Sequence, residues 1–203
     1  MEEAVRKLIK NAISKSYTYK AYRKLTDTLA EAEKSTGDEQ SEALSHYTLL
    51  NAKRMKRLDK TAKLSAEELS AISKTAKKLT WLVITESWCG DAAQTLPIIN
   101  KIAEASPFIT LKIVLRDENK ELMDNFLTRG SRSIPKLIMV DEQVSEVLDC
   151  WGPRPTIATG MVKNFKAEHG KLTPGFKQEL QVWYNKDKGR NTVEDMLKLL
   201  SLK

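Results

Sequence analysis

Apolar positions recur at helical spacing through the first third of the chain. Val5, Leu8, Ile9, Ala12 and Ile13 make one stripe, and Tyr19, Tyr22, Leu25 and Leu29 make a second behind a cap expected at Ser16. Ser35-Thr36-Gly37-Asp38 interrupts the pattern, and a third stripe follows in Leu44, Tyr47, Leu50, Met55 and Leu58. Ser65 with Glu68 three residues on has the form of a capping box. It opens a fourth helix whose inward face is expected at Leu69, Ile72, Ala76 and Leu79. At Thr80 the period changes. Trp81-Leu82-Val83-Ile84-Thr85 is a short β-branched and aromatic run of the kind that forms a buried strand. Beyond it the pattern predicts a helix over 92–104 with Pro97 inside, a strand over 109–115, a helix over 119–128, a strand over 136–140, a turn at 141–143 and a strand over 144–151. The order is β-α-β-α-β-β. A crossover helix makes the first two strands parallel, and a short hairpin joins the last two. Helices are expected over about 154–168, 174–186 and 191–201.

Composition narrows this picture. The chain has 203 residues, of which 41% are hydrophobic and 30% charged, with a mean hydropathy of −0.44. That suits a compact protein, read here as a helical N-terminal extension over 1–79 and a second domain over 80–203 with extra C-terminal helices. No apolar run approaches the roughly 20 residues of a bilayer span. The acidic start, MEEAVRKLIKNAISKS, reads as a helix and not as a signal peptide. Two cysteines, Cys89 and Cys150, fit a reducing compartment, so a cytoplasmic location is expected. His46 and His169 lie far from both in sequence, and no spacing resembles a metal site, so neither a metal nor an organic cofactor is expected. The net charge is +7 and the pI about 9.3. The densest basic stretch, Lys53, Arg54, Lys56, Arg57, Lys60 and Lys63, lacks the interleaved aromatics of a stacking platform. It reads as a solvated surface, with no nucleic-acid and no membrane partner expected.

Chemistry concentrates at Cys89, at the junction between the first strand and its helix. In such a turn the free N–H groups of the first helical turn and the helix dipole favour an anion, here the nucleophilic thiolate. Gly90 permits the tight turn, Trp88 makes an apolar wall, and Asp91 opposes the effect with its own negative charge. Arg132 offsets Asp91 if the fold brings it near. The plain alternative is a buried structural cysteine.

Trp88-Cys89-Gly90-Asp91-Ala92 resembles the active-site loop of the thioredoxin family. Pro97, eight residues after Cys89, stands where that family has a helix-kinking proline, and Arg132-Ser133-Ile134-Pro135 resembles its cis-proline turn. The resemblance covers about 75 residues and looks like a helix-extended branch of the thioredoxin-like superfamily. It implies a mixed α/β sheet of about four strands flanked by helices, and thiol–disulfide exchange through Cys89. It also implies that the backbone of Ile134, set by Pro135, pairs with an extended substrate.

The departures are informative. Ala92 replaces the second cysteine of the loop, and an ungapped match puts Val83 where thioredoxins carry a buried acid. Three routes remain open. Cys89 acts alone on a protein or low-molecular-weight disulfide and is cleared by a small thiol or a thioredoxin-type reductant. Alternatively, Cys150 resolves the mixed disulfide, although its side chain in a strand can face away. In the third route catalysis is absent and the groove is a protein- or peptide-binding module. Trp151-Gly152-Pro153-Arg154 lacks the Gly-Gly-acid pattern of a glutaredoxin glutathione site, leaving Arg132 or Arg154 to hold a small-thiol carboxylate. Substrate, reductant and oligomeric state are not legible.

Overall fold

The computed structural model describes residues 2–143 and 146–201. Four helices lead: α1 (Glu3–Ser14), α2 (Tyr19–Glu31), α3 (Glu42–Thr61) and α4 (Ala66–Ile72). Then come β1 (Leu79–Thr85), α5 (Gly90–Glu104), β2 (Ile109–Leu115), the short α6 (Lys120–Asp124), β3 (Lys136–Asp141) and β4 (Glu146–Trp151). The chain closes with α7 (Thr156–His169), α8 (Pro174–Asp187) and α9 (Arg190–Ser201). The expected elements are present, with shifted edges. The cap of α2 is Thr18, whose side chain accepts from the Ala21 N–H, and not Ser16. The helix expected over 119–128 stops early. Arg129 and Gly130 adopt positive φ in a tight turn, closed by paired hydrogen bonds between Thr128 and Ser131. The Ser65–Glu68 capping box is formed as read, whereas Leu69 is exposed. Val144 and Ser145, placed in the last strand by the sequence pattern, lie outside the described residues.

The sheet has the order β2-β1-β3-β4, with β1 and β2 parallel and the other pairs antiparallel. β1 is central and all seven of its residues are buried, which is why it reads as a continuous apolar run. Alternation divides it between two cores. Leu79, Trp81 and Val83 join the larger cluster with α2, α3, α5 and α9, while Leu82 and Ile84 join a second cluster with α1 and α6. Tyr22, Met55, Leu58 and Ile72 of the leading helices sit in the same cluster as Trp81. The stretch before α2 also pairs with β2: Tyr17 N–H donates to Ile113 O at 2.8 Å and Ile113 N–H returns to Tyr17 O at 2.9 Å. That covers part of an otherwise open sheet edge.

The C-terminal helices are tied to β4 by one carboxylate. Asp195 on α9 accepts from Trp151 Nε1 at 2.9 Å, and from Thr156 N–H and Thr156 Oγ at 2.8 Å each. It thereby caps α7, whose own cap residue is Pro155. Gly152, between β4 and α7, has φ +116°, and a Cβ there would stand 2.1 Å from Pro135 O. Only glycine lets this segment cross the Pro135 turn so closely.

Candidate functional site

The loop from β1 to α5 is held by the segment before α3 and by α3 itself. Ser87 N–H donates to Thr36 Oγ1 at 2.9 Å, and Ser87 Oγ accepts from Thr36 N–H at 3.0 Å. From α3, Asn51 Nδ2 donates to Ser87 O at 2.9 Å and Thr48 Oγ1 lies 2.9 Å from Ser87 Oγ. These bonds explain why Thr48 and Asn51 are buried on α3 while Tyr47, expected on its apolar face, is 42% exposed. Polar bonding to the loop, and not apolar burial, sets the rotation of the helix there.

Cys89 is the N-cap residue of α5. Its Sγ accepts from Ala92 N–H at 3.4 Å, the role a serine or aspartate oxygen usually fills. The same sulfur donates to Ile134 O at 3.3 Å. The Ile134–Pro135 peptide bond is cis, as is Gly152–Pro153, and both Ile134 and Pro135 are buried. The turn and the cysteine are therefore in contact, and the Ile134 carbonyl expected to be free is engaged by the thiol.

Cys89 is only 7% exposed. Burial pushes its pKa up to about 12, and the nearby Asp91 carboxylate pushes the same way. The N–H groups of Ala92 and Asp91 and the charge of Arg154 pull downward but lose. The expected helix-end stabilisation of the thiolate is present in direction and outweighed in size.

Asp91 is neutralised, but not by Arg132. Arg154 Nη2 pairs with Asp91 Oδ2 at 2.7 Å, and Tyr184 OH donates to Asp91 Oδ1 at 2.9 Å. The Asp91 side chain is 12% exposed, and burial raises its pKa against the pull of Arg154, Tyr184 and Arg54. Arg132 is exposed and bonded in a two-pronged contact to Asp124, at 2.6 and 2.7 Å. Trp88 is partly buried and carries the Arg116 guanidinium 4.8 Å from its ring centre, a cation–π contact.

Cys150 is partly buried on β4 opposite Ile138, and packs against the apolar cluster that contains Cys89. Both cysteines are free thiols. Burial raises Cys150 to about 11, with Lys136 opposing and Asp149 adding.

Beside the thiol opens a cavity of about 670 Å³. Its floor is the loop itself, Trp88 to Asp91, with Ile134. One wall comes from α3 through Leu44, Tyr47 and Arg54, and the other from Leu172 and α8 through Pro174, Lys177 and Leu180. Arg154 completes the lining. Gly90 lies beneath the meeting point of the walls: a Cβ there would be 3.5 Å from Arg54 Nη1 and 3.8 Å from Gln181 Nε2.

Val83 is fully buried and apolar, but an acid stands three residues later. Glu86 is 0% exposed, accepting from Thr36 Oγ1 and from Asp117 N–H at 2.9 Å. Burial holds its carboxyl above the ordinary range. Glu86, Tyr184 and Arg54 were not read as site residues. Tyr184 is 93 positions from Asp91, and Arg54 lay in a stretch read as solvated surface. The one available signal for Glu86 was an acid directly following a buried strand. Among the described residues no group of three His, Cys, Asp or Glu side chains could hold a metal ion, and no helix is long and apolar enough to cross a membrane.

Comparison with known proteins agrees with this architecture. No curated protein matches the sequence. Among solved structures, a protein of unknown function from Pseudomonas aeruginosa is similar, with TM-score 0.56 and 17% identity, over 91% of this chain and 98% of that one. An HIV epitope scaffold is similar with TM-score 0.57 and 15% identity, over 92% of this chain and 99% of that one. At these identities the likeness shows the fold. A family model described as Thioredoxin matches residues 37–166, well over half of the chain and including the Cys89 loop, the Pro135 turn and α3, so the chain belongs to the thioredoxin family.

Proposed function

We propose that the protein carries out thiol–disulfide exchange through Cys89 alone. The observation that carries this reading is the placement of Cys89 Sγ: at the cap of α5, against the Ile134 carbonyl of the cis-proline turn, and on the floor of an open cavity. The Cys89 thiolate attacks one sulfur of a disulfide. The S–S bond breaks, a Cys89–S–S–R bond forms, and the second half leaves as a thiolate that takes a proton from solvent. A small thiol or a thioredoxin-type protein then attacks the bound half and releases Cys89. Ala92 offers no second sulfur within the loop, and in this reading a thiol from outside the chain, not Cys150, resolves the mixed disulfide. Trp88 and Gly90 shape the floor, Asp91 tunes the thiol, and Ile134 with Pro135 faces the substrate.

The resting thiol is protonated, so the rate of attack climbs with pH. Steady-state reduction of hydroxyethyl disulfide by a small thiol, followed from pH 7 to 10, tests this. A Cys89-dependent rate that rises close to tenfold per pH unit supports the reading. A rate equal to that of the Cys89→Ser variant removes it.

The raised thiol pKa favours a second reading, a non-catalytic module whose cavity binds a partner. It predicts slow iodoacetamide labelling of Cys89 and no turnover of any mixed disulfide. On either reading the N-terminal helices take part through α3, which supplies one wall of the cavity. The extension and the domain over 80–203 are therefore proposed to act as one unit.

A further inference from the structure

We infer that the cavity over Cys89 selects a small disulfide bearing carboxylates. This rests on the exchange chemistry proposed above and names its substrate class.

Size comes first. A space of about 670 Å³ lies within the range of small-molecule sites and suits a peptide of a few residues. It is enclosed from two sides by α3 and α8, with Gln94 on α5 bonded to Gln181 on α8 at 2.9 Å.

Charge comes second. Three cations line the cavity, Arg54, Arg154 and Lys177, against a single carboxylate, Asp91, which Arg154 already neutralises. Arg54 is half-buried, and its hydrogen bond is to the neutral Asn51 Oδ1 at 2.9 Å. Burial lowers its pKa and Arg57 adds to that, while Tyr47 and Asp91 oppose, and no carboxylate among the described residues is paired with it directly. Arg154 adds a buried Nε with no hydrogen-bond partner. A partly desolvated guanidinium set beside an apolar wall of Leu44, Leu172 and Leu180 fits a ligand with carboxylates at one end and a short apolar stem leading to sulfur.

The test uses two small disulfides of opposite character on the Cys150→Ser protein. The rate of adduct formation on Cys89 is read by intact mass for glutathione disulfide, which is anionic, and for hydroxyethyl disulfide, which is neutral. Each rate is divided by that of a free small thiol with the same disulfide. The expected normalised preference for the anionic disulfide is tenfold or more, falling at least fivefold in the Arg54→Gln, Lys177→Gln double variant. S-methylglutathione, which cannot exchange, is titrated in parallel by the protein's tryptophan fluorescence, to which Trp88 in the cavity floor contributes. Saturable quenching, weakened in the double variant, is expected. Reaction with both disulfides without preference, and no S-methylglutathione binding, overturns the inference and leaves the exchange function standing. Binding of S-methylglutathione without reaction of either disulfide supports the cavity's selectivity and removes the exchange function. Neither binding nor reaction removes both.

Discussion

Cys89 and Cys150 pack against one apolar cluster, and burial raises the pKa of each, yet their surroundings differ in kind. Cys89 is a helix cap on the floor of a cavity, next to Asp91, Arg154 and the Ile134 carbonyl. Cys150 sits within a strand ladder opposite Ile138, with Lys136 as its charged neighbour. Acidity does not separate them: burial raises both thiols, Cys89 to about 12 and Cys150 to about 11. Geometry does: of the two, only Cys89 lines the cavity over the loop. In this chain access and substrate placement, rather than resting acidity, distinguish the two thiols.

The contrast is broken most completely by removing the sulfurs. Cys89→Ser is expected to abolish disulfide turnover, while Cys150→Ser keeps it within about twofold, measured by hydroxyethyl disulfide reduction. Equal losses in the two variants would show that Cys150 resolves the mixed disulfide after all. Gly152→Ala damages both regions together, because its Cβ would overlap Pro135 O, one residue after the Ile134 carbonyl that Cys89 contacts, and Gly152 directly follows Trp151 of β4. A loss of about 3 kcal/mol or more is expected from the denaturant midpoint, with turnover lost as well.

Asp91→Asn sharpens the contrast. Asp91 raises the Cys89 pKa, so removing its charge while Arg154 remains lowers it. A shift of about one unit would speed iodoacetamide labelling of Cys89 at pH 8 by about tenfold and leave Cys150 labelling unchanged. Unchanged or slower labelling of Cys89 would mean that Arg154, once freed from Asp91, leaves the thiol. Lys136→Met acts on the other cysteine. Lys136 lowers the Cys150 pKa, so its loss raises it and slows Cys150 labelling by about twofold to threefold, with Cys89 unaffected.

Legibility followed locality. β1 announced itself as a run of apolar residues because both its faces are covered, and the Ser65–Glu68 cap because its partners are three residues apart. Cys89, Gly90 and Pro135 were readable for the same reason: loop and turn are short motifs. The acid beside Cys89 was legible as well, but its partner was misread. Arg132 is spent on Asp124, and Arg154 arrives from the turn after β4. The rotation of α3 depends on Thr48 and Asn51 reaching Ser87, a contact across more than 35 residues that no periodicity records. The balance of forces on the thiol was not legible either. A helix terminus can be seen in a sequence, whereas the burial that outweighs it is a property of the packed molecule.

The central claim is tested most directly by trapping. The Cys150→Ser protein is incubated with glutathione disulfide at pH 8, quenched with acid and mapped by mass. The account predicts one glutathionyl group on Cys89, removed again when a small thiol is added. An unmodified Cys89 in the folded protein, with modification only after denaturation, would contradict it.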